Sequence, residues 1–535
     1  MPPVWIPAFP LERLPPDSVR LFKQGNTQVA VFRRADDTLY AVDNRCPHEG
    51  YPLMQGAVSG CTLTCKWHNY KFDLRDGACL VGEEGVRTYP VRVEAGVIEV
   101  DLAMPRAFAG ALLNDLDAAT IRHEPGRIAR DIVRLLDLGL TPAALAMRAA
   151  CIDADHAEFG STHAIALAAE LILESTTDIE PALPLTQLYD LVGRGNVRLP
   201  KRTRPPAETV GGDSKAVGQQ LRESVEAEDS PRAEAILRGA LAAGWRRAEI
   251  EPWFFQLCAD HFLDFGHPLI YASKIFDALD YEDWASADSV LGGLLHGIVF
   301  ATREDSLPAW SAWRKRSEMA PSAPMAALAI EAAERVLRFD AAIDADARTM
   351  EGWLDVTHRL TFVHAVRRVV ARWDHSDARR LTLQAEQFVA MARPLDAAEG
   401  ASEPSAGSEL GSPSASTADV VDAVRRFEPT QAIGIATNFL ARERSAGRRE
   451  DAIRSLTTSL ENLAWSDHAT RAIFLAHHVK TLRAGRDEAI ALGDDRPMLA
   501  AIRFLASRLR ERNIERSVKN AIALVRHGKP PTTLT

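Results

Sequence analysis

Two short motifs constrain this chain more than anything else in it. Cys46-Pro47-His48 is followed, after sixteen residues, by Cys65-Lys66-Trp67-His68. Two Cys–His pairs of this kind can hold a binuclear iron–sulfur cluster, with the thiolates on one iron and the neutral imidazoles on the other. Imidazole in place of two thiolates removes two negative charges, which favours an added electron and raises the potential to roughly −150 to +300 mV, against about −400 mV for an all-cysteine plant-type centre. Zinc accepts the same four ligands, but its spacings usually pair Cys with Cys and His with His. Six cysteines in 535 residues are too few for a disulfide scaffold, and four of them, Cys46, Cys61, Cys65 and Cys79, cluster near the N-terminus. Clustered thiols in a long chain point to metal or redox chemistry.

The motifs lie in a region of short apolar runs separated by turn residues. The runs are Ser18-Val-Arg-Leu-Phe, Gln28-Val-Ala-Val-Phe, Leu39-Tyr-Ala-Val, Tyr70-Lys-Phe-Asp-Leu and Val97-Ile-Glu-Val. Such a pattern predicts a small antiparallel β domain. Past residue 103 it fades, and the sequence becomes rich in Ala, Leu and Arg. Thr141-Pro142 and Ser230-Pro231 each set a capping hydroxyl before a proline, and Gly244 suits a helix end. The fold class is therefore multi-domain: a small all-β domain over 1–103, a linker over 104–130, and a large all-α domain over 131–530. Residues 201–213 read as a loop. Residues 396–418, built almost wholly of Ala, Ser, Gly, Pro, Glu and Asp, read as a disordered internal loop. The stripe Ile502, Leu505, Leu509, Val518, Ile522 and Val525 predicts an amphipathic face. No fixed-period repeat is present.

Residues 1–103 resemble a Rieske [2Fe–2S] domain. The likeness extends beyond the Cys–His pairs to Asn44-Arg-Cys-Pro-His48-Glu-Gly-Tyr-Pro-Leu, Phe72-Asp-Leu-Arg-Asp-Gly77 and Tyr89-Pro-Val-Arg-Val, all in family order. It implies a Rieske-type [2Fe–2S] cluster with Cys46 and Cys65 on the buried iron and His48 and His68 on the outer one. Asn69 stands where many members have glycine. Tyr51 and Trp67 stand where members from respiratory cytochrome complexes carry a loop disulfide, so the resemblance is to the ferredoxin and oxygenase branch. Cys61 and Cys79 read as packing residues.

A Rieske cluster moves one electron at a time, so the fused helical region is the natural acceptor site or partner reader. Its histidines are the candidates: His267 in Gly266-His267-Pro268, His296 on a face shared with Gly293, Gly297 and Phe300, His364, and His478 in His477-His478-Val-Lys480, with Asp153, His156 and His163 further upstream. A helical bundle can project such residues into one pocket. The segments around His267, His296, His364 and His478-Val-Lys480 are similar in order and spacing to the questin oxidase-like family. That resemblance implies a helical oxidoreductase domain without supplying its substrate; the expected substrate is an aromatic or quinone-like small molecule. Two alternatives stand beside it. One is a Rieske ferredoxin-type electron carrier whose helical domain docks a redox partner. The other is a Rieske non-haem iron oxygenase, for which Asp153-x-x-His156 is the nearest match, although His163 follows only after six residues.

Gly193-Arg-Gly195 lacks the third glycine of a dinucleotide fingerprint. Electrons are therefore expected from a separate electron-donating reductase or ferredoxin, with NAD(P)H used only indirectly through it. A net charge of −10 argues against nucleic acid and anionic membranes as partners. No signal peptide or apolar run of membrane-spanning length is apparent, which gives a cytoplasmic expectation.

Overall fold

The computed structural model describes residues 4–103, 106–174, 179–195, 200–316, 320–345, 352–398, 415–468 and 471–509. A β-sheet domain comes first and a large helical region follows, as the change of pattern near residue 103 predicts. The chain divides into two units: Met1–Ala119 with Gly126–Gly139, and Thr120–Pro125 with Leu140–Thr535.

Ten strands build the first domain: β1 (Trp5–Pro10), β2 (Ser18–Gln24), β3 (Thr27–Arg33), β4 (Leu39–Asp43), β5 (Ala57–Ser59), β6 (Thr62–Thr64), β7 (Lys71–Asp73), β8 (Cys79–Val81), β9 (Val91–Glu94) and β10 (Val97–Asp101). They form three antiparallel sheets, ordered β1-β10-β9, β2-β3-β4 and β5-β6-β7-β8. β3 explains why Gln28-Val-Ala-Val-Phe is continuously apolar rather than alternating. Val29 and Val31 enter one core with Phe22, Ile98 and Val100. Ala30 and Phe32, pointing the other way, enter a second core with Leu63 and Phe72. Cys46 and Cys65 belong to that second core.

The segment expected to be a linker over 104–130 is helical instead. It contains the Arg106–Arg122 helix and the start of the Pro125–Asp137 helix. The composition Arg-Ala-Phe-Ala-Gly-Ala-Leu-Leu favours helix. His123, at φ +56°, and Pro125, in the first turn, mark the break between the two helices. The Pro125–Asp137 helix falls almost wholly in the first unit, with the β domain.

In the helical region the local signals largely hold. Thr141 caps the Pro142–His156 helix by accepting from the Ala144 amide, and Gly244 follows the Ser230–Ala242 helix at φ +86°. At the start of that second helix the cap is Asp229, which accepts from the Arg232 amide. The Ser230 hydroxyl is thereby free to meet His296 Nδ1 at 2.9 Å. Residues 201–213 form a loop fastened to the helices: the Arg202 amide donates to the Asp155 carbonyl at 2.7 Å, and Arg204 pairs with both Asp155 and Asp288. Most of the expected disordered loop over 396–418 lies outside the described residues, as do Val518, Ile522 and Val525; the chain resumes with Ser416 capping the Thr417–Arg425 helix. Ile502 and Leu505 are fully buried. Among the described residues no helix is long and apolar enough to cross a membrane.

One close approach shapes the centre of this region. Gly160 has φ +82°, and a Cβ there would lie 2.2 Å from the Gly293 carbonyl oxygen and 2.5 Å from the Gly297 nitrogen. The face bearing Gly293, His296 and Gly297 is therefore occupied by the backbone of residues 159–161. Gly160→Ala combines left-handed strain with a backbone clash, and each costs on the order of 1–3 kcal/mol. It should lower the calorimetric unfolding transition of the helical unit by several degrees; an unchanged transition would contradict this packing.

Candidate metal centres

The first site lies at two loops of the β domain. Residues 44–56 connect β4 to β5, and residues 65–70 connect β6 to β7. Both loops close in the same way. The Cys46 amide donates to the Tyr51 carbonyl at 2.9 Å and the Gly50 amide to the Cys46 carbonyl at 2.8 Å; the Cys65 amide donates to the Tyr70 carbonyl at 2.8 Å and the Asn69 amide to the Cys65 carbonyl at 3.1 Å. Asn44, itself buried, steadies the first loop by accepting from the Met54 amide at 2.9 Å. Asn69 has φ +59°. That left-handed position is why glycine suits it, and asparagine is among the few other residues that adopt it readily.

These loops bring all four predicted residues together. The Cys46 and Cys65 thiols are buried, while His48 and His68 lie nearer solvent with their Nδ1 atoms 3.2 Å apart. Burial pushes the Cys46 thiol up to about 11, opposed by the amides of His48 and Glu49, which donate to its sulfur. Amides aimed at a cysteine sulfur stabilise negative charge there. Two buried thiols and two outward imidazole nitrogens make a donor set that fits a mixed Cys–His binuclear cluster. Where a loop disulfide would fall, the Tyr51 and Trp67 rings stand 6.0 Å apart instead. Cys61 and Cys79 are half-buried, and Cys61 Sγ lies 3.6 Å from the Tyr40 hydroxyl.

The second site lies in the helical region and is built differently from the sequence expectation. The helices His163–Leu173, His267–Tyr281, Trp353–Val370 and Ala472–Leu492 pack each against the next in a closed ring. Each contributes one histidine: His163, His267, His358 and His477. One ring nitrogen from each lies within 4.8 Å of the others. His358 Nε2 is 3.1 Å from His477 Nε2 and 3.2 Å from Lys480 Nζ. His163 Nε2, His267 Nε2 and His358 Nδ1 are buried without a hydrogen-bond partner, so three polar atoms are left for something to satisfy. Neutral imidazoles suit iron, zinc, copper and nickel alike.

Of the expected histidines, His267 and His163 are in this cluster, and His477 takes the place expected for its neighbour His478. His296 bonds Ser230, His364 Nδ1 meets Glu488 at 2.8 Å, and His478 packs against Phe504 at 4.7 Å. Helix geometry separates them. Neighbouring residues lie about 100° apart around a helix, so His477 faces the ring while His478 does not, and His364 is six positions and about 120° away from His358. Asp153 is engaged at the start of the next helix, accepting from the Thr162 amide and hydroxyl at 2.7 Å, and His156 is not in the cluster. The arrangement is thus not the Asp–His–His site of the oxygenase alternative.

Two features hold the ring of histidines in place. Asp264, Phe265 and Gly266 have successive φ values of +41°, +55° and +83° just before His267, a strained turn fixed by the Phe265 amide donating to Glu304 at 2.8 Å. Burial pushes that Glu304 carboxyl up to about 7. Below the histidines, Glu170 accepts from Lys274 and, at 2.9 Å, from Arg483, whose Nε donates to Glu461 at 2.7 Å. Burial alone would raise Glu170, but Lys274 and Arg483 hold it well below the usual carboxylate range. Replacing Glu170 with alanine would strand the buried Lys274 ammonium and remove one carboxylate partner of Arg483, which keeps Glu461. The expected loss is about 3–5 kcal/mol, read from chemical denaturation of the helical unit; a loss below about 1 kcal/mol would show that the network carries little.

A cavity of about 170 Å³ adjoins the histidines, lined by Phe159, Thr162, Asp264, His267, Tyr271 and Leu294 among others. Burial, reinforced by the charge of Lys480, holds His163, His267, His358 and His477 well below the ordinary histidine range. Burial, with Lys274 nearby, depresses Lys480 as well. The four imidazoles are therefore neutral in the folded protein and protonate on unfolding below about pH 6.5, their ordinary value. The unfolded state then binds more protons, so their contribution is complete above about pH 6.5 and is lost as pH falls. Four such groups remove up to about 5 kcal/mol per pH unit while the folded forms stay neutral. Denaturation of metal-free protein between pH 7.5 and 5 should show this steep loss, and a flat profile would contradict it.

Comparison with known proteins bears on the first site. The Rieske [2Fe-2S] domain model matches residues 4–90. The 4beta-methylsterol monooxygenase of Methylococcus capsulatus (strain ATCC 33009 / NCIMB 11132 / Bath) is 37% identical over 97 residues, which is 16% of this chain and 26% of that protein. The anthranilate 1,2-dioxygenase ferredoxin subunit of Burkholderia cepacia is 32% identical over 100 residues, 18% of this chain and 92% of that protein. Among solved structures, the ferredoxin of carbazole 1,9a-dioxygenase from Nocardioides aromaticivorans IC177 is 31% identical, covering 18% of this chain and 96% of that one, with a TM-score of 0.17. The chain spans about a quarter or less of the first three curated relatives, at 26%, 21% and 18% of their lengths. Through residues 4–90, the chain belongs to the Rieske [2Fe–2S] family.

Proposed function

We propose that this protein is an oxidoreductase in which a Rieske cluster, held by Cys46, His48, Cys65 and His68, supplies electrons to an oxidation site in the fused helical domain. The observation that carries this reading is the convergence of His163, His267, His358 and His477 from four helices beside a cavity. Imidazoles kept neutral, three of them with an unpartnered buried nitrogen, are what a transition-metal site needs before its ion arrives. A redox metal bound there would supply the electron exchange with substrate. Lys480, with its Nζ 3.2 Å from His358, is placed to hold or accept a proton at that edge.

The aromatic walls of the cavity, Phe159 and Tyr271, support an aromatic or quinone-like small molecule as substrate. At about 170 Å³ the cavity is below the range of sites that enclose a whole drug-sized ligand, so it would seat one ring or one edge. The resemblance of this region to the questin oxidase-like family agrees with that chemistry. A separate reductase or ferredoxin would load the cluster, because the chain carries no dinucleotide fingerprint. The carrier alternative draws support from the 92% coverage of a ferredoxin subunit, but it gives no role to the four histidines.

Elemental analysis tests the proposal. The purified protein should hold about two irons per chain in the cluster and a further transition metal. His358→Ala should remove the further metal while leaving the Rieske EPR signal intact. His48→Ala or His68→Ala should do the reverse. A protein that binds no second metal, even after reconstitution with iron, manganese, zinc or copper, would sink the oxidation-site reading and leave the carrier.

A further inference from the structure

The Rieske match ends at residue 90, yet the first cluster loop is gripped from outside it. Arg134, on the Pro125–Asp137 helix, donates through Nη2 to the Pro47 carbonyl at 3.0 Å. Its Nη1 donates to Asp131 at 2.8 Å and to Glu84 at 3.1 Å. Both carboxylates are buried, at 1% and 4% exposure, so the guanidinium is anchored on one side and free to bond the loop on the other. Arg130 also binds Glu84. It is not among the groups that bond Pro47, so it offers a matched comparison.

Pro47 lies between Cys46 and His48, and its carbonyl shares one peptide unit with the His48 amide. That amide donates to the Cys46 sulfur. Arg134, the Pro47–His48 peptide and Cys46 thus form a continuous chain of donors and acceptors. A charged donor pulling on a peptide oxygen polarises the unit and strengthens its N–H as a donor. Hydrogen bonds to cysteine sulfur and positive charge near a cluster are both levers that raise its potential.

We propose that Arg134 is a positioning residue for electron transfer, which fixes the Cys46–His48 loop and raises the potential of the cluster through the Pro47–His48 peptide. The proposal rests on the ligation of the cluster by Cys46 and His48 given above. The step it tunes is a one-electron reduction: the oxidised cluster gains one electron, and the donor loses it.

The test is a dithionite titration of full-length, cluster-loaded protein followed by EPR, for the wild type, Arg134→Met, Arg134→Ala and Arg130→Met. Both Arg134 variants should disfavour reduction by about tenfold, a fall of about 59 mV for a one-electron couple, while Arg130→Met shifts far less. A fully loaded Arg134 variant at the wild-type potential would overturn the proposal, and so would equal shifts in Arg134→Met and Arg130→Met. In metal-free protein, the Cys46 and Gly50 amides should exchange faster in Arg134→Met than in wild type. Should neither Arg134 variant hold a cluster, unchanged exchange at those amides would overturn it. Absence of the Rieske signal from the wild type would instead defeat the ligand assignment itself.

Discussion

A single buried carboxylate organises the helical half of the molecule. Glu170 cannot sit among apolar side chains unless its charge is matched, and Lys274 and Arg483 match it. Each of these three residues shares a helix with a histidine of the candidate site. Glu170 follows His163 by seven residues, Lys274 follows His267 by seven, and Arg483 follows His477 by six. Seven residues is close to two helical turns, so Glu170 and Lys274 each stand on the same face of their helix as its histidine, whereas Arg483, six residues on, lies about 120° around from His477. Satisfying Glu170 therefore also fixes which face two of these helices turn inward, and ties the third to them through Arg483. The mutual orientation of the histidines follows from an electrostatic requirement two turns away.

Two sites with opposite electrostatic designs result. At the loops, amide donors oppose the burial of Cys46 and prepare for negative charge. In the helices, burial and nearby cations act together to keep imidazoles uncharged. The first arrangement suits thiolate sulfur and the second suits neutral nitrogen. The helical arrangement favours the neutral form in which imidazoles bind metal, whereas at Cys46 the amides only partly offset burial.

Much of the β domain was legible in the sequence because its information is local. The four Cys and His residues lie in two short loops, and the strand runs announce themselves by period and turn residues. The short strands β5, β6 and β8, of three residues each, carry too little pattern to see. The helical site was legible only in part. That histidines converge could be expected, but which ones could not. His358 lies in a helix buried on nearly every side, so no polar face marks it out, and His477 and His478 are equally buried neighbours. Phase around a helix axis decides between them, and phase depends on packing partners distant in sequence. The strained turn at Asp264–Gly266 and the Glu170 network are likewise long-range products.

The Pro125–Asp137 helix has a consequence for how the molecule can be divided. The chain leaves the first unit near residue 120, returns to it at 126, and leaves again after 139. A fragment cut where the β pattern ends would keep every cluster loop and every strand. It would also keep Glu84, a carboxylate that three arginines of that helix surround, and lose all three. The boundary visible in the sequence and the boundary of the compact unit are therefore different places. A prefix ending at residue 103 leaves Glu84 without these arginines, whereas one that reaches to Gly139 keeps all of the first unit.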